Sequence, residues 1–279
     1  MIVLNRILEY MLEEDEGFGD ITSNSIIDDK EYVKAYIVSK DEGILAGIDI
    51  AKELFESRDV RVVFHLSDGC EIKKGDLLMS FQGNARDILL IERTALNLLM
   101  RMSGVASAAN HYVKLVEGKV IIAGTRKTQP AIGKFDKMAL KIGGADTHRF
   151  SLDDMVLIKD NHIAVVGSPL EALKKAQENV SFSKKIEIEV ESLEDAVSCV
   201  KQGADIVMLD NMDPSQVTDV LNALEKEGIR NNSLIEISGG INEDNILDYV
   251  DLGVDIISLG ALTHSSRSLD FSLKINNSE

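Results

Sequence analysis

From residue 118 onward, short runs of apolar residues alternate with longer amphipathic segments. The apolar runs read KVIIAGT, DMVLIKD, KIEIEVE, ADIVMLDN, SLIEISGG and GVDIISLGA. Helical patterns separate most of them, as in SPLEALKKAQENV, SLEDAVSCVKQG and DPSQVTDVLNALEKEG. Strands and helices alternating at this spacing form right-handed βαβ units and a parallel sheet. The pattern predicts an incomplete TIM-like α/β barrel over residues 105–264. A flat doubly wound sheet is the alternative, but no GxGxxG stretch follows the first strand.

The first hundred residues alternate short strand patterns with turns. EYVKAYIVSK and RVVFHLS have strand composition, and DGCEIKKGDLLMSFQGN places glycines around short apolar pieces. Similar glycines occur in biotinyl and lipoyl carrier domains. Carriers, however, present a modifiable lysine, typically beside Met, whereas Lys73 and Lys74 stand within EIKKGD. We therefore favour a sheet that supports another domain, with a carrier module as the alternative.

Two helices are predicted around this sheet. Near the N-terminus, apolar residues share one helical face: Ile2, Leu4, Ile7, Leu8 and Met11. Residues 85–116 predict a helix whose broad apolar face, rich in Leu and Met, suits burial between domains or subunits. Gly104 is expected to divide this segment into two helices.

The C-terminal segment SLDFSLKI alternates apolar and polar residues, which is typical of a half-exposed antiparallel strand. We expect this strand to return to the N-terminal sheet. The predicted N-terminal α/β sandwich domain therefore comprises residues 1–104 and is completed by residues 265–279.

The formal net charge of −17 argues against nucleic acid as the main partner, because phosphate backbones need a basic surface. The N-terminus lacks the basic start of a secretory signal. No apolar run approaches the roughly 20 residues that a membrane span needs. A cytoplasmic enzyme or binding protein without a membrane partner is expected.

Reactive side chains of α/β barrels come from the carboxyl ends of the strands. In this sequence polar or small residues follow all of the apolar runs: Arg126, Lys127, Lys159, Asp160, Glu189, Asp210, Asn211, Ser238, Gly239, Gly240 and Gly260. One charged residue after a strand is often only a solvated loop residue. So many at consecutive strand ends favour a shared site.

A metal site is predicted from the acidic strand. KIEIEVE alternates Glu187, Glu189 and Glu191 with apolar residues, so the three carboxylates share one face. Carboxylates facing covering helices are costly, whereas carboxylates at a barrel mouth can hold a cation. Glu189 and Asp210 therefore predict a Mg²⁺ site completed by water and substrate oxygens.

Two glycine-containing loops, in ISGGINEDN and SLGALTHSS, place small residues between a strand and a possible helix start. Backbone N–H groups in such loops can cradle a phosphate, and the last two loops of TIM barrels often do so. A tight turn without a ligand is the alternative.

Cationic residues gather in the same part of this acidic chain: Arg126, His148, Arg149 and Lys159. Arginine binds carboxylates through two parallel hydrogen bonds. The cluster therefore predicts a pocket for a small ligand with more than one carboxylate. Surface salt bridges to the many acidic residues are the alternative.

These motifs closely resemble those of one enzyme family. GTRKT, HRFSLDDMVLIKDNH, IEVESLEDA, IVMLDNM, SGGI and GVDIISLGALTHS resemble quinolinate phosphoribosyltransferase, also called nicotinate-nucleotide pyrophosphorylase (carboxylating). EDEGFGDIT and ERTALNLLMRMSGVA extend the resemblance over nearly the whole chain. It implies Mg²⁺-dependent phosphoribosyl transfer from phosphoribosyl pyrophosphate to quinolinate, with release of pyrophosphate and CO₂. The product, nicotinate mononucleotide, feeds NAD synthesis.

The resemblance also implies the role of each site residue. Quinolinate would be held by Arg126, His148, Arg149 and Lys159, with Arg101 of MRMSG reaching into the neighbouring subunit's site. Phosphoribosyl pyrophosphate would be held by Lys127, Glu189, Asp210, Ser238, Gly239, Gly240, Gly260 and His264. The implied catalytic residues are Lys127, Lys159, Glu189 and Asp210, with Glu189 and Asp210 as Mg²⁺ ligands. The implied assembly is a homodimer, or a multiple of dimers, with shared active sites.

This sequence departs from the usual family motifs in two loops. The common TRKTTPGLR reads TRKTQPAIG here, with Gln129, Ala131 and Gly133. The common GGG before HR is replaced by GGAD, with Ala145 and Asp146. These positions flank the cationic cluster, so the departures bear on loop conformation and substrate affinity.

Two alternative functions remain open from the sequence. Lys159 at the end of an apolar strand also fits a Schiff-base aldolase, which needs a desolvated lysine. A related group encoded with molybdate transporters shares much of the scaffold, but it generally lacks an intact LIKDNH.

Overall fold

The computed structural model describes residues 2–276 of the 279-residue chain. Residue 1 and residues 277–279, at the ends of the predicted first domain, lie outside the described residues. In chain order the elements are α1 (Ile2–Glu16), α2 (Ile21–Ile26), β1 (Tyr32–Ser39), β2 (Gly43–Ile44), α3 (Ile48–Glu56), β3 (Arg61–Phe64), β4 (Glu71–Ile72), β5 (Leu77–Asn84), α4 (Ala85–Leu115), β6 (Ile121–Ala123), α5 (Gly133–Ile142), β7 (Val156–Ile158), α6 (Asp160–Val166), α7 (Pro169–Asn179), β8 (Ile186–Val190), α8 (Leu193–Gln202), β9 (Ile206–Asp210), α9 (Pro214–Lys226), β10 (Leu234–Ser238), α10 (Leu247–Val250), β11 (Ile256–Ser258), α11 (Ala261–His264) and β12 (Phe271–Asn276).

The chain divides into two compact units. The first contains residues up to Asn110, Gln129–Gly144 and residues from Ser265 onward. The second contains His111–Thr128 and Ala145–His264. The sequence-based boundary at residues 104 and 105 stays a prediction, and the segment Gln129–Gly144 belongs to the first compact unit.

The first unit is built on an antiparallel sheet with the strand order β12-β1-β5-β3. The C-terminal strand pairs with β1, and Ile37 lies opposite Leu273. The expected return of the C-terminal segment to this sheet is therefore confirmed. The Gly-rich stretch forms β4 and β5, which are strands as predicted.

Residues 85–115 form a single helix, so the prediction that Gly104 divides two helices is wrong. A Cβ at Gly104 would overlap the carbonyl oxygen of Arg267. Nearby, the backbone N–H of Leu269 donates to the carbonyl of Met100 at 3.1 Å. The glycine thus lets the C-terminal segment approach α4 closely, and it does so without interrupting the helix.

The second unit contains a parallel sheet with the strand order β6-β11-β10-β9-β8-β7. All of the apolar runs predicted as strands form this sheet, and helices connect most of them. The strands of this sheet contribute runs of consecutive buried residues to the core. In β8 every residue is buried. The predicted fold class, a sandwich-type α/β domain with an incomplete α/β barrel, is confirmed.

Polar caps start the helices that follow the strands. Ser168, Ser192 and Asp213 each accept a hydrogen bond from a backbone N–H in the first helical turn, at 3.2, 3.1 and 2.9 Å. Such caps satisfy N–H groups that the helix itself leaves unpaired. They fix where each strand-to-helix loop ends. In residues 2–276 no helix is both long enough and apolar enough to cross a membrane.

Candidate active site

The carboxyl ends of the six parallel strands bear most of the sequence-predicted site residues. Lys159 directly follows β7, Asp210 ends β9 and Ser238 ends β10. Glu189 lies one residue before the end of β8, and Gly260 lies two residues beyond β11. Because the strands are parallel, these ends share one edge of the sheet.

Lys159 and Glu189 make direct contact at this edge. Lys159 Nζ lies 2.5 Å from Glu189 Oε2. The side chain of Glu189 is 10% exposed and that of Lys159 is 43% exposed. The backbone N–H of Lys159 also donates to Nδ1 of His162 at 2.9 Å, within the first turn of α6. His162 therefore helps to fix the point at which Lys159 leaves the strand.

A backbone hydrogen bond connects the loops that follow β9 and β10. Asp210 and Ser238 are register partners in adjacent strands, and the backbone N–H of Asn211 donates to the Ser238 carbonyl at 2.9 Å. A Cβ at Gly239 would overlap the Asn211 side chain. Gly239 has φ +89°, whereas Gly240, with φ +65°, has open space where a Cβ would lie. Glycine lets this turn fit against Asn211 while leaving the backbone accessible.

The last barrel loop brings together three predicted residues. A Cβ at Gly260 would lie 3.1 Å from Nε2 of His264 and 3.1 Å from Cδ of Lys127. Thr263 Oγ1 donates to the carbonyl of Lys127 at 2.8 Å. The loop after β6 is thus hydrogen-bonded to α11. Lys127, Gly260 and His264 lie close together there.

Two arginines form the core of the cationic cluster. Arg149 is 7% exposed, and within the described residues its one hydrogen bond runs from Nη1 to the Met155 carbonyl at 3.4 Å. Burial lowers the pKa of Arg149, the nearby charge of Arg126 lowers it further, and Glu187 opposes both effects. A buried guanidinium beside a second cation, with most donors unused, is suited to binding an anion.

His148 is held by a strained but hydrogen-bonded loop. Its φ of +51° lies in the left-handed region, which is uncommon for a residue other than glycine. The backbone N–H of His148 donates to Oδ1 of Asp146 at 2.6 Å. Asp146 in turn forms a parallel bridge with Ala123 of β6. The loop that carries His148 is therefore anchored to the sheet.

The ring of His148 points at two buried carboxylates. Nε2 lies 3.2 Å from Glu187 Oε2 and 3.3 Å from Glu236 Oε2, and both glutamate side chains are fully buried. Burial acts to lower the pKa of His148, but the contacts with Glu187 and Glu236 raise it to about 10. Burial raises the pKa of Glu187, and His148 opposes that rise.

Arg101 belongs to the first unit, whereas the other predicted site residues belong to the second. Its Nε and Nη2 donate to the two carboxylate oxygens of Asp136, each at 3.0 Å. Asp136 lies on α5 and is fully buried. This two-point contact fixes the direction of the Arg101 guanidinium.

Sequence reasoning did not assign Glu236, His162 or Asp146 to the site, and it noted Glu187 only as part of an acidic strand. The signal for Glu236 was a single carboxylate within the apolar run SLIEISGG. The structure defines the class of the protein: an incomplete α/β barrel whose second unit carries a cationic cluster, acidic strand ends and glycine-containing loops.

Comparisons with known proteins agree with that class. The model of the quinolinate phosphoribosyl transferase C-terminal domain matches residues 105–274, and that of the N-terminal domain matches residues 20–103. A probable nicotinate-nucleotide pyrophosphorylase (carboxylating) of Methanocaldococcus jannaschii is 49% identical over 275 residues, 97% of this chain and 96% of the relative. The nicotinate-nucleotide pyrophosphorylase (carboxylating) of Mycobacterium leprae is 38% identical over 271 residues, 95% of this chain and 94% of the relative.

Among solved structures, NadC from Streptococcus pyogenes superimposes with a TM-score of 0.92 at 37% identity, covering 99% of this chain and 97% of that chain. The chain belongs to the quinolinate phosphoribosyltransferase family and is an enzyme of that family. The family membership expected from the sequence motifs is confirmed.

Proposed function

We propose that the protein transfers the phosphoribosyl group of phosphoribosyl pyrophosphate to quinolinate, in a Mg²⁺-dependent reaction that also releases CO₂. The products are nicotinate mononucleotide and pyrophosphate, which places the reaction in the de novo synthesis of NAD. The observation that carries this proposal is the buried guanidinium of Arg149. It lies near the charge of Arg126 and makes one hydrogen bond among the described residues.

Quinolinate has two adjacent carboxylates on one ring, so it matches a site with several cationic side chains. Arg126 and Arg149 supply two guanidinium groups, His148 an imidazolium and Lys159 an ammonium. Charge-assisted hydrogen bonds are shorter and roughly twice as strong as neutral ones. The cations also repel one another, so an anion with two charges relieves that repulsion on binding.

The phosphoribosyl half has a separate set of contacts. Gly239 and Gly240 present backbone in positive-φ conformations after β10, and the space beside Gly240 is open. Gly260, Lys127 and His264 converge after β11. Backbone N–H groups together with lysine and histidine side chains suit the phosphate groups of this substrate.

The acidic residues fit a Mg²⁺ ion by their chemistry. Glu189 and Asp210 supply carboxylate oxygens from the ends of adjacent strands, and Mg²⁺ prefers oxygen ligands with several retained waters. When bound, the ion stabilises the charge of the departing pyrophosphate. The Glu189 carboxylate is also paired with the ammonium group of Lys159.

The reaction needs no covalent intermediate with the enzyme. The quinolinate ring nitrogen attacks the anomeric carbon as the bond to pyrophosphate breaks, and positive charge develops on the ribose, as in glycoside hydrolysis. The Glu189 and Asp210 carboxylates favour that charge. The carboxylate beside the now cationic nitrogen then leaves as CO₂, and the ring carbon retains the electron pair and takes up a proton. The residues act through positioning and electrostatics.

We further propose that the active unit is a homodimer, or a multiple of dimers, in which Arg101 serves the site of the neighbouring subunit. The fixed direction of its guanidinium, set by Asp136, supports a role in binding an anion at a defined place. Soluble, cytoplasmic localisation remains the expectation from the sequence.

The decisive test is an assay with quinolinate, phosphoribosyl pyrophosphate and Mg²⁺, with nicotinate as a competing substrate. We expect nicotinate mononucleotide, pyrophosphate and CO₂ in equal amounts, and no product when Mg²⁺ is removed by a chelator. Product from nicotinate without CO₂, or none from quinolinate, would contradict the proposal.

The rival activities receive less support from the structure. A Schiff-base lysine must be desolvated, whereas the Lys159 side chain is 43% exposed and ion-paired with Glu189. Borohydride trapping of a carbonyl substrate on Lys159 would support the aldolase alternative. LIKDNH, which the group encoded with molybdate transporters generally lacks, is intact here, and Lys159 and His162 of this motif contact each other.

A further inference from the structure

Two buried glutamates in contact with His148 have no role in the proposed reaction. Glu187 of β8 and Glu236 of β10 flank β9 on the same face of the sheet, opposite Ile206 and Met208 respectively. Both carboxylates are fully buried, and both approach the same atom, Nε2 of His148. This arrangement, the carboxylate clamp, consists of Glu187, Glu236 and His148.

The clamp has few other partners. Within residues 2–276, neither Glu187 oxygen has a hydrogen-bond partner of ordinary geometry, and Oε1 of Glu236 has none. His148 Nε2 is the ion-pair partner of both residues. An ionised carboxylate without a partner is costly to bury, so two of them facing one ring need a compensating cation.

Charge neutrality identifies that cation. Two carboxylates balance the two positive charges of a His148 imidazolium and Arg149, whose guanidinium feels the charge of Glu187. A divalent metal ion between the same three side chains is the competing arrangement, since their nearest ligand atoms lie within 4.8 Å of one another. With Arg149 present, such an ion and a neutral ring would leave the group with a net positive charge.

We propose that Glu187 and Glu236 are positioning residues that hold His148 as an imidazolium, with Nε2–H fixed between them and Nδ1–H presented to a substrate carboxylate. Within the described chain Nδ1 makes no hydrogen bond, and the His148 side chain keeps 11% of its surface exposed. The bond from the His148 backbone to Asp146 fixes the other end of the residue. The inference rests on the proposed function, because quinolinate is the expected anion.

The clamp also explains why the site tolerates two buried glutamates in an already acidic protein. A neutral histidine donates from only one ring nitrogen. If that donor were Nε2–H, no proton would remain on Nδ1 for the substrate. Two carboxylates at Nε2 stabilise the doubly protonated ring, so His148 adds a further positive charge beside Arg126 and Arg149.

The test uses the full-length enzyme and the isosteric variants Glu187→Gln and Glu236→Gln. Long-range proton–nitrogen correlation spectra of histidine-labelled protein report the state of each ring, and a His148→Gln variant identifies the His148 signals. At about pH 8, well above the usual histidine pKa of about 6.5, we expect His148 to be doubly protonated in the wild type and neutral in the double variant. Glu225→Gln, an exposed residue of α9, is the matched control.

Binding measurements separate positioning from a merely structural role. Each variant should weaken quinolinate binding about ten-fold or more, the usual effect of losing one charge-assisted hydrogen bond, and should leave phosphoribosyl pyrophosphate binding unchanged. In a His148→Gln background, Glu187→Gln should cause little further loss, because its effect passes through His148.

Three results would overturn the proposal: a neutral His148 ring in the wild type, additive losses in the His148→Gln background, or a tightly held divalent ion that is lost in Glu187→Gln. If the ring is doubly protonated but the wild type neither binds quinolinate nor forms nicotinate mononucleotide, the proposed function fails and the clamp stands.

Discussion

Lys159 Nζ and Glu189 Oε2 lie 2.5 Å apart, across the ends of the neighbouring strands β7 and β8. The pair joins a residue expected to bind quinolinate to one expected to bind Mg²⁺. If Glu189 binds Mg²⁺ as proposed, the same carboxylate would serve both the ion and Lys159. The proposed quinolinate and Mg²⁺ sites would then be linked through one carboxylate.

The first prediction concerns the acidic pair. Glu189→Gln combined with Asp210→Asn should lower turnover more than about a hundred-fold, the usual effect of removing transition-state electrostatics, while the protein remains folded. Steady-state rates at saturating substrates and circular dichroism check both parts. Asp219→Asn combined with Glu225→Gln, on the exposed face of α9, removes the same number of charges and should retain activity. Unchanged turnover in the first variant would exclude Glu189 and Asp210 as Mg²⁺ ligands.

The second prediction concerns the division of the pocket. Arg149→Ala should weaken quinolinate binding roughly ten- to a hundred-fold, since a hydrogen bond to a charged group contributes about 1.5–3 kcal/mol. Phosphoribosyl pyrophosphate binding should change much less. Calorimetric titration with each substrate measures the difference, and Lys175→Ala on α7 is the control for loss of a positive charge. Equal losses for both substrates would show that the two halves of the pocket are not separate.

The third prediction compares neighbouring glycines. Gly239→Ala should disrupt the turn after β10, because its Cβ would overlap the Asn211 side chain and its φ of +89° disfavours any other residue. Gly240→Ala meets open space and should cost about 1–2 kcal/mol of left-handed strain. We expect the Michaelis constant for phosphoribosyl pyrophosphate to rise strongly in the first variant and less in the second. The reverse order would place the substrate phosphate against Gly240.

The barrel strands were predictable because each is an apolar run followed by polar or small residues, and because the hydrophobic periodicity of the helices between them differs from that of the strands. The predicted helix break at Gly104 was wrong because a glycine within an apolar helix indicates either a break or the close approach of another segment to the helix. Only the position of the Arg267 carbonyl distinguishes these two cases. That contact joins residues far apart in the sequence.

The sequence indicated which residues form the cationic cluster, but it did not indicate which buried residues contact them. Glu236 reads as one acid within an apolar strand, and its contact with His148 spans 88 positions. Two loop departures also gain a physical account. Asp146 accepts the backbone hydrogen bond of His148, whereas Ala131 occupies a φ of +67°, where the family motif commonly has glycine.

The fourth prediction concerns pH. The pKa of His148 is about 10 in the folded chain, compared with about 6.5 for an unfolded chain. Because folding raises this pKa, the stabilisation is complete below about 6.5 and is lost as the pH rises through about 10. His148→Gln breaks a buried ion pair, which typically costs about 3–5 kcal/mol. Urea unfolding should show the largest loss near neutral pH or below and a smaller one in alkali. A loss that does not change with pH would mean that His148 is not charged in the folded protein.

The last prediction concerns assembly. If Arg101 serves the neighbouring subunit's site, Arg101→Ala and Lys159→Ala chains should each be inactive alone and regain activity when mixed. In a mixed dimer one site carries both defects and the other carries neither. Free exchange and random pairing should therefore restore about a quarter of wild-type activity, assuming two independent sites on a symmetric dimer.

The control for this experiment is Arg93→Ala, an exposed residue of the same helix, which should be active without mixing. Subunit exchange is followed independently with chains that carry two different fluorophores. Exchange without recovery of activity would place Arg101 in the site of its own chain. Recovery requires the neighbour's Arg101, because no other combination of the two variants assembles an intact site.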